Sequence, residues 1–234
     1  MISFIIKLLI LIYLFITIRH IYTMLQYNPN SSVQKIAIPN KDKIQEELKY
    51  KNPLLITYPK LDDISMDILN KTMPGYIIND NDALLSLDHL LNSDSFSVYK
   101  NKNIINDFQL ESQYSKIQEL FYSYLTCNMN SYISLYKGEH TTNLLKNYNE
   151  TTLLQPKQGS ITVYLFNPKH ESDIRGMDVT TIKKWGIKQE LDVDSILYIP
   201  PEWYYFYECK KEVILFHVES DTYLSVIYNY LRKK

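Results

Sequence analysis

Residues 195–228 read SILYIPPEWYYFYECKKEVILFHVESDTYLSVIY, and this stretch decides the fold class. Apolar and aromatic runs in it are separated by turn residues such as Pro200 and Pro201; the runs lie at residues 195–199, 203–207, 213–218 and 223–228. Short runs rich in Ile, Val, Tyr and Phe and bounded by turn residues predict β-strands. Several such strands in succession are typical of a sandwich or a jelly roll.

The chain upstream of this stretch carries both strand-like and helical patterns. Strands are predicted at residues 53–58, 132–136 and 160–166. Apolar residues at helical spacing predict helices at residues 41–49, 65–71, 86–92 and 114–125. The sequence therefore predicts a fold that is mainly β with N-terminal helices (α+β) and is built as a sandwich or a jelly roll.

The N-terminal residues 2–18, ISFIIKLLILIYLFITI, are apolar apart from Lys7 and a few hydroxyl side chains. A helix that spans a membrane needs about 20 mainly apolar residues, so this run is long enough when its ends reach the interface. We predict a transmembrane or signal-anchor segment over residues 1–22, a linker over residues 23–34 and a globular domain over residues 35–234. Two alternatives stay open, namely a cleaved signal peptide and a buried N-terminal helix of the globular domain.

This segment predicts a single-pass membrane protein but leaves the side of the membrane open. Positive charge follows the apolar run more than it precedes it, which favours a cytoplasmic body. Asn30, Asn70 and Asn149 each begin an Asn-x-Ser/Thr triplet, the acceptor pattern for glycosylation, but in an Asn-rich chain such triplets arise by chance and do not decide the side.

The composition argues against some classes of partner and hints at an origin. The 234 residues carry a formal net charge of -1, which argues against a protein that binds nucleic acid. With only Cys127 and Cys209 present, no disulfide framework or cysteine-rich zinc site is expected. The chain has 21 Tyr and 5 Gly, a bias that resembles proteins of AT-rich genomes such as large DNA viruses. A viral protein of this kind would lie in a host or virion membrane.

Three segments, in this order, resemble the cupin-like JmjC family. Residues 51–56 (KNPLLI) are similar to the strand that opens the family's fold. Residues 151–168 (TTLLQPKQGSITVYLFNP) resemble its strand, glycine turn and second strand, and residues 194–205 (DSILYIPPEWYY) resemble the strand that leads to Ile-Pro-Pro-x-Trp. The resemblance implies that residues 35–234 form a double-stranded β-helix.

The resemblance also implies where the family's chemistry would lie. The family holds iron(II) with two histidines and one carboxylate, which leaves positions open for 2-oxoglutarate and oxygen. In this chain the three ligand positions fall on Lys146, Tyr148 and Tyr205, and the lysine that pairs with 2-oxoglutarate is replaced by Ile161. A gapped alignment would make His140 the first ligand, with a threonine where the carboxylate belongs.

The aromatic run after Pro201 has two interpretations. Strand alternation would place Trp203, Tyr205 and Tyr207 on one face of the sheet, with Tyr204 and Phe206 on the other. These rings are either ordinary core and sheet packing, or they fill the cavity that metal and cosubstrate occupy in the family.

We therefore predict no catalytic residue, no cofactor and no metal at these degenerate positions. The predicted function is that of a membrane-anchored, non-catalytic cupin/JmjC-like module that binds an unknown protein or small molecule, as a monomer. One alternative is an iron(II)- and 2-oxoglutarate-dependent oxygenase with a rearranged site that uses His140. A second alternative is a secreted or lumenal jelly-roll protein that binds a ligand.

Overall fold

The computed structural model describes residues 2–30, 32–37, 39–58, 64–80, 83–111, 117, 119–123 and 125–232. The α-helices are α1 (Ile2–Leu25), α2 (Lys41–Leu48), α3 (Met66–Thr72), α4 (Leu87–Asn92), α5 (Asn103–Asp107), α6 (Glu171–Ile174), α7 (Val179–Ile182) and α8 (Val226–Arg232). Short 3-10 turns lie at Pro168–His170 and Lys183–Trp185. The strands of the first half are β1 (Gln34–Ile36), β2 (Leu54–Thr57), β3 (Ile77–Asp80), β4 (Ala83–Ser86), β5 (Phe96–Asn101), β6 (Thr126–Lys137) and β7 (His140–Thr141). Those of the second half are β8 (Leu145–Lys146), β9 (Thr151–Gln158), β10 (Ile161–Phe166), β11 (Ile187–Leu191), β12 (Ser195–Ile199), β13 (Tyr204–Cys209) and β14 (Val213–Thr222).

Two β-sheets build the body of the protein. One has seven strands in the order β1-β2-β12-β9-β14-β6-β5, and the other has the order β11-β10-β13-β7, with β8 also paired to β13. Strands β1 and β2 run parallel, whereas the other pairs in these two sheets are antiparallel. The structure thus confirms the prediction of a mixed α+β fold with a sheet-rich body.

The core lies in two layers, one on each face of the seven-stranded sheet. On β14, Ile214 and Phe216 pack in the cluster that includes side chains of α2 to α5, whereas Val213 and Leu215 pack against the five-stranded sheet. This division follows from the period of two along a strand, which sends successive side chains to opposite faces. A third, smaller cluster covers the outer face of the five-stranded sheet, beneath α6 and α7.

Helix α1 opens the chain and projects its apolar side chains outward. By length and composition, its residues from Phe4 to Leu25 could cross a membrane, and the apolar 18-residue window on which this rests has no buried residue. The helix continues seven residues beyond the predicted apolar run, which ended at Ile18. Its last turns contact the body: His20 Nε2 lies 2.9 Å from Glu150 Oε1, and Met24 is buried.

The elements predicted over residues 223–228 and 114–125 have different outcomes in the structure. The strand predicted over residues 223–228 is wrong, because the chain leaves the sheet at Thr222 and turns into α8. Helix α8 is secured by the Asn229 side-chain amide, which donates to Asp221 Oδ1 at 2.8 Å, so a tertiary hydrogen bond decides against the strand. The helix predicted over residues 114–125 lies partly outside the described residues; Ile117 and residues 119–121 are helical.

Most other predicted elements are confirmed with small shifts of their ends. Strand β12 (Ser195–Ile199) has the predicted bounds, and β13 begins one residue later than predicted. Ser65 caps α3, because its hydroxyl accepts a hydrogen bond from the Ile68 N–H at 3.2 Å. No disulfide joins Cys127 and Cys209, and Cys209 is buried.

Candidate functional site

Strands β8 and β13 bring three of the predicted site positions to one place. Tyr205 pairs with Leu145, Tyr204 pairs with Lys146, and Tyr148 follows two residues after β8. A cavity of about 280 Å³ opens there. Its lining includes Lys100, Tyr132, Lys146, Tyr148, Tyr205 and Glu219. We call this space the Tyr205 cavity.

An ion pair lines the Tyr205 cavity. Lys100 Nζ lies 2.5 Å from Glu219 Oε1, and the two side chains keep 22% and 12% of their exposure. The Lys100 ammonium also lies 5.5 Å from the ring centre of Tyr99 and 5.8 Å from that of Tyr132. Burial alone lowers the pKa of Lys100, but the neighbouring Tyr205, Glu219 and Tyr99 outweigh it, so that its pKa is raised. The lysine is therefore held as a cation.

The backbone at Lys100 has an unusual conformation. Its φ is 48°, in the left-handed region, and the pairing of β5 with β6 shifts register between Val98 and Asn101. The Lys100 N–H donates to Ser134 Oγ at 2.9 Å instead of joining the regular ladder. Bulges of this kind redirect a side chain, and left-handed non-glycine residues are concentrated at functional sites.

The hydroxyl of Ser134 and the imidazole of His217 stabilise the bulge at Lys100. Ser134 Oγ lies 3.0 Å from His217 Nε2, and both side chains are buried. Burial, with Lys100 adding to it, lowers the pKa of His217 well below its usual range. His217 is therefore a neutral core residue that holds Ser134 and, through it, the Lys100 backbone.

A second set of charges surrounds Lys146, which lines the cavity. Lys146 Nζ lies 3.1 Å from Glu171 Oε2 and 3.3 Å from Glu202 Oε2. Glu202 also accepts two hydrogen bonds from the Arg232 guanidinium, at 2.6 and 2.8 Å. The Lys146 ammonium lies 4.9 Å from the Tyr204 ring centre. Lys146 is thus part of a charge network that links β8, the Pro-Pro turn and α8.

Asn147 fixes the relative position of the two site strands. Its amide nitrogen donates to the carbonyls of Ile199 and Pro200 at 2.8 and 3.0 Å. Its amide oxygen accepts from the Asn149 N–H and the Thr152 hydroxyl, at 2.9 and 2.7 Å. Because Asn147 is buried and uses both ends of its amide, the turn before Trp203 is held against β8.

The structure separates His140 from the other predicted positions. His140 pairs with Cys209, four residues along β13 from Tyr205, or about 13 Å at the rise of a β-strand. Its ring stacks on Tyr136 with 4.8 Å between centres, and burial lowers its pKa. Thr142, the partner that the gapped alignment gives to His140, is buried, and its hydroxyl accepts from the Tyr207 N–H at 3.0 Å.

Ile161 is a buried core residue at the start of β10. It lies opposite Leu191 on one side and Cys209 on the other, and it brings no charge to the interior.

The aromatic alternation predicted after Pro201 is confirmed: Trp203, Tyr205 and Tyr207 pack between the sheets, whereas Tyr204 and Phe206 pack on the outer face.

The side chains around the Tyr205 cavity do not fit the iron(II) of the JmjC family. That metal needs two imidazoles and a carboxylate on one face, and the aligned positions hold an ammonium and two phenols. The carboxylate of Glu219 is bound by Lys100. In the described part of the chain, no group of three or more His, Cys, Asp or Glu side chains could hold a metal ion.

Sequence reasoning missed Lys100 and Glu219, which form the ion pair that lines the cavity. They lie 119 residues apart, and neither belongs to a recognisable motif. The alternation along β14 would have placed Glu219 on the same face as Leu215 and His217, but only the fold brings Lys100 to it.

Comparison with known proteins adds no relative. No protein-family model matches the chain, and no curated protein matches it in sequence. The resemblance to the JmjC family therefore stays a prediction from the motifs of residues 51–56, 151–168 and 194–205.

Proposed function

We propose that the chain is a membrane-anchored protein whose body is a cupin-like double-stranded β-helix that acts as a non-catalytic binding module. The strand order supports the barrel. Strands β6, β9, β12 and β14 are neighbours in one sheet, and β7, β10, β11 and β13 are neighbours in the other. The chain thus crosses repeatedly between two facing sheets, as jelly rolls do.

The observation that carries the binding role is the composition of the Tyr205 cavity. An ion pair between Lys100 and Glu219 lies beside Tyr132 and Tyr205, at the place that the family's motif assigns to the metal. Charged and phenolic groups in a recess suit a small polar ligand that exchanges hydrogen bonds with both members of the pair. Binding of such a ligand needs no bond-making step.

The membrane anchor is the second part of the proposal. Helix α1 presents exposed apolar side chains along its length, such as Phe4, Leu11 and Phe15 at 70%, 64% and 68% exposure. A contiguous apolar surface of this extent is costly in water and is typical of a segment that contacts lipid.

Iron binding tests the non-catalytic assignment. The full chain in detergent micelles is titrated anaerobically with iron(II) in the presence of 2-oxoglutarate, and succinate is assayed after oxygen is admitted. We expect neither tight metal binding nor turnover, because the aligned positions offer no imidazole. Stoichiometric iron with consumption of 2-oxoglutarate would make the chain an oxygenase and overturn the assignment.

A gain-of-function variant tests the cupin-like placement of the site. The changes Lys146→His, Tyr148→Asp and Tyr205→His together restore the ligand types of the family. We expect this triple variant to bind iron(II) more tightly than the unchanged chain, provided that circular dichroism shows the same β content. The control carries Lys146→Gln, Tyr148→Asn and Tyr205→Phe, which change the same positions without supplying the ligand set. A folded triple variant that binds no better than this control would contradict the placement.

A further inference from the structure

An exposed apolar stripe runs along the turn before α8 and along the helix itself. Tyr223, Ile227 and Leu231 are 62%, 71% and 65% exposed. Ile227 and Leu231 lie four residues apart and share one face of α8, and Tyr223 precedes Ile227 by the same spacing, in the turn. We call these three residues the α8 stripe. Bulky apolar side chains grouped in this way mark a contact surface.

The fold holds the α8 stripe beside the N-terminal helix. The Tyr13 hydroxyl lies 3.5 Å from the Tyr223 carbonyl oxygen, and Asn229 Nδ2 lies 3.7 Å from Met24 Sδ. The turn before α8 and α8 itself therefore lie beside the last turns of α1, with Asn229 next to Met24.

Three polar contacts fix the orientation of α8 on the body. Asn229 donates to Asp221, the Arg232 guanidinium binds Glu202 through two hydrogen bonds, and the Ser225 hydroxyl donates to the carboxylate of Glu150. Because its polar residues are engaged with the body, α8 leaves the apolar stripe on the outside.

Two contacts with α1 set the level of the stripe. The apolar run of α1 ends at Ile18. The Tyr13 side chain reaches the Tyr223 carbonyl from inside this run. Just past the end of the run, His20 Nε2 lies 3.3 Å from the hydroxyl of Thr222. If α1 crosses a bilayer up to Ile18, the Tyr223 end of the stripe therefore lies at the edge of the apolar region, where amphipathic interfacial helices bind.

We propose that the α8 stripe is a second membrane contact, which inserts into the headgroup and upper acyl region of the bilayer that α1 enters. The proposal rests on the membrane anchoring proposed above. The occupant is lipid because the stripe is continuous with the exposed surface of α1. Tyr223, at the end of the stripe next to the apolar run of α1, suits an interfacial position. A two-point attachment would fix the tilt of the body, and with it the direction in which the Tyr205 cavity opens.

Depth-dependent quenching tests this contact in the full chain. Single cysteines replace Ile227, Ile12 and Ile68 in a Cys127→Ser background, and each carries a polarity-sensitive fluorophore. Cys209 is buried, and burial raises its pKa to about 12, so it is unreactive at neutral pH. The labelled proteins are reconstituted into phosphatidylcholine vesicles that contain lipids with a nitroxide at a shallow or a deep acyl position.

The Ile68 probe is the matched control, because this exposed isoleucine lies on α3 at the other end of β9. The Met66 N–H donates to the side chain of Gln158, whereas Ser225, just before α8, donates to Glu150, and about 25 Å of strand separates these ends. We expect the shallow nitroxide to quench the Ile227 probe and leave the Ile68 probe unchanged.

Two negative outcomes can be told apart. If the Ile12 probe is quenched while the Ile227 probe behaves like the Ile68 probe, α1 is an anchor and the second contact is wrong. If the Ile12 probe is also unquenched, the membrane anchoring itself fails. Cross-linking between Ile227→Cys copies without quenching would assign the stripe to a second copy of the chain and would also overturn the proposal.

Discussion

The ion pair between Lys100 and Glu219 gives the most direct test of the Tyr205 cavity. Lys100→Met removes the positive charge at similar length, and Glu219→Gln removes the negative charge without changing the shape of the side chain. Each single change leaves one charged group without its partner, in a recess where both side chains are largely shielded from water. The double variant removes both charges together.

The expected size of the effect lies between two limits. Breaking a fully buried pair costs about 3–5 kcal/mol, whereas an exposed pair contributes about 0–1 kcal/mol. Since Lys100 and Glu219 keep 22% and 12% exposure, we expect each single variant to lose about 2 kcal/mol of the free energy of unfolding. We expect the double variant to lose about 2 kcal/mol as well, so that the interaction energy in the cycle is about 2 kcal/mol.

Urea unfolding of the full chain in a fixed detergent measures this cycle, with near-ultraviolet circular dichroism as the signal. The control is the pair between Lys188 and Glu190 on β11, which has a similar distance of 2.8 Å but side-chain exposures of 55% and 74%. Lys188→Met and Glu190→Gln should leave the urea midpoint unchanged. If the effects of Lys100→Met and Glu219→Gln simply add in the double variant, the two groups do not interact and the electrostatic account of the cavity is wrong.

Two further predictions concern the turn after β9 and the buried histidine. Gly159 has φ +73°, and a Cβ at this position would lie 2.2 Å from the Glu212 carbonyl oxygen. The left-handed conformation alone costs an alanine roughly 1–2 kcal/mol. Because the clash adds to this strain, Gly159→Ala should lower the free energy of unfolding by more than that amount. Gly75→Ala, at the same φ with open space around it, should cost only that strain, and equal urea midpoints for the two variants would contradict the clash. Burial lowers the pKa of His217, so below about pH 6.5 the unfolded chain binds a proton that the folded chain does not bind. Because of this proton, the free energy of unfolding should fall by about 1.4 kcal/mol for each pH unit below that value. Urea midpoints between pH 7 and pH 5 should fall less steeply for His217→Gln, and an unchanged slope would show that His217 is not the titrating group.

Much of the local structure could be predicted because it depends on neighbours in the sequence. The period of two placed Trp203, Tyr205 and Tyr207 on one face, and the structure confirms that arrangement. The strand over residues 195–199 has the predicted bounds, since Pro200 ends it. The prediction failed at residues 223–228, where the apolar spacing fits a strand or a helix and the contact of Asn229 with Asp221 favours the helix.

The candidate site was predictable only in part. The family motifs pointed to Lys146, Tyr148 and Tyr205, and the structure places all three at one cavity. They also offered His140, which lies farther along β13. No local pattern pointed to Lys100, whose role depends on a bulge in β5 and on a partner from β14.

The sequence by itself determined the apolar N-terminal helix, the positions of most strands and the side of the sheet on which their residues lie. These features depend on hydrophobic period, length and turn residues, which act over a few positions of the chain. Only the tertiary structure decided that Lys100 meets Glu219, that α8 lies beside α1 and that His140 is apart from Tyr205. Such contacts join residues as far as 210 positions apart, as between Tyr13 and Tyr223, and they arise when distant segments pack and their polar groups must find partners within the fold.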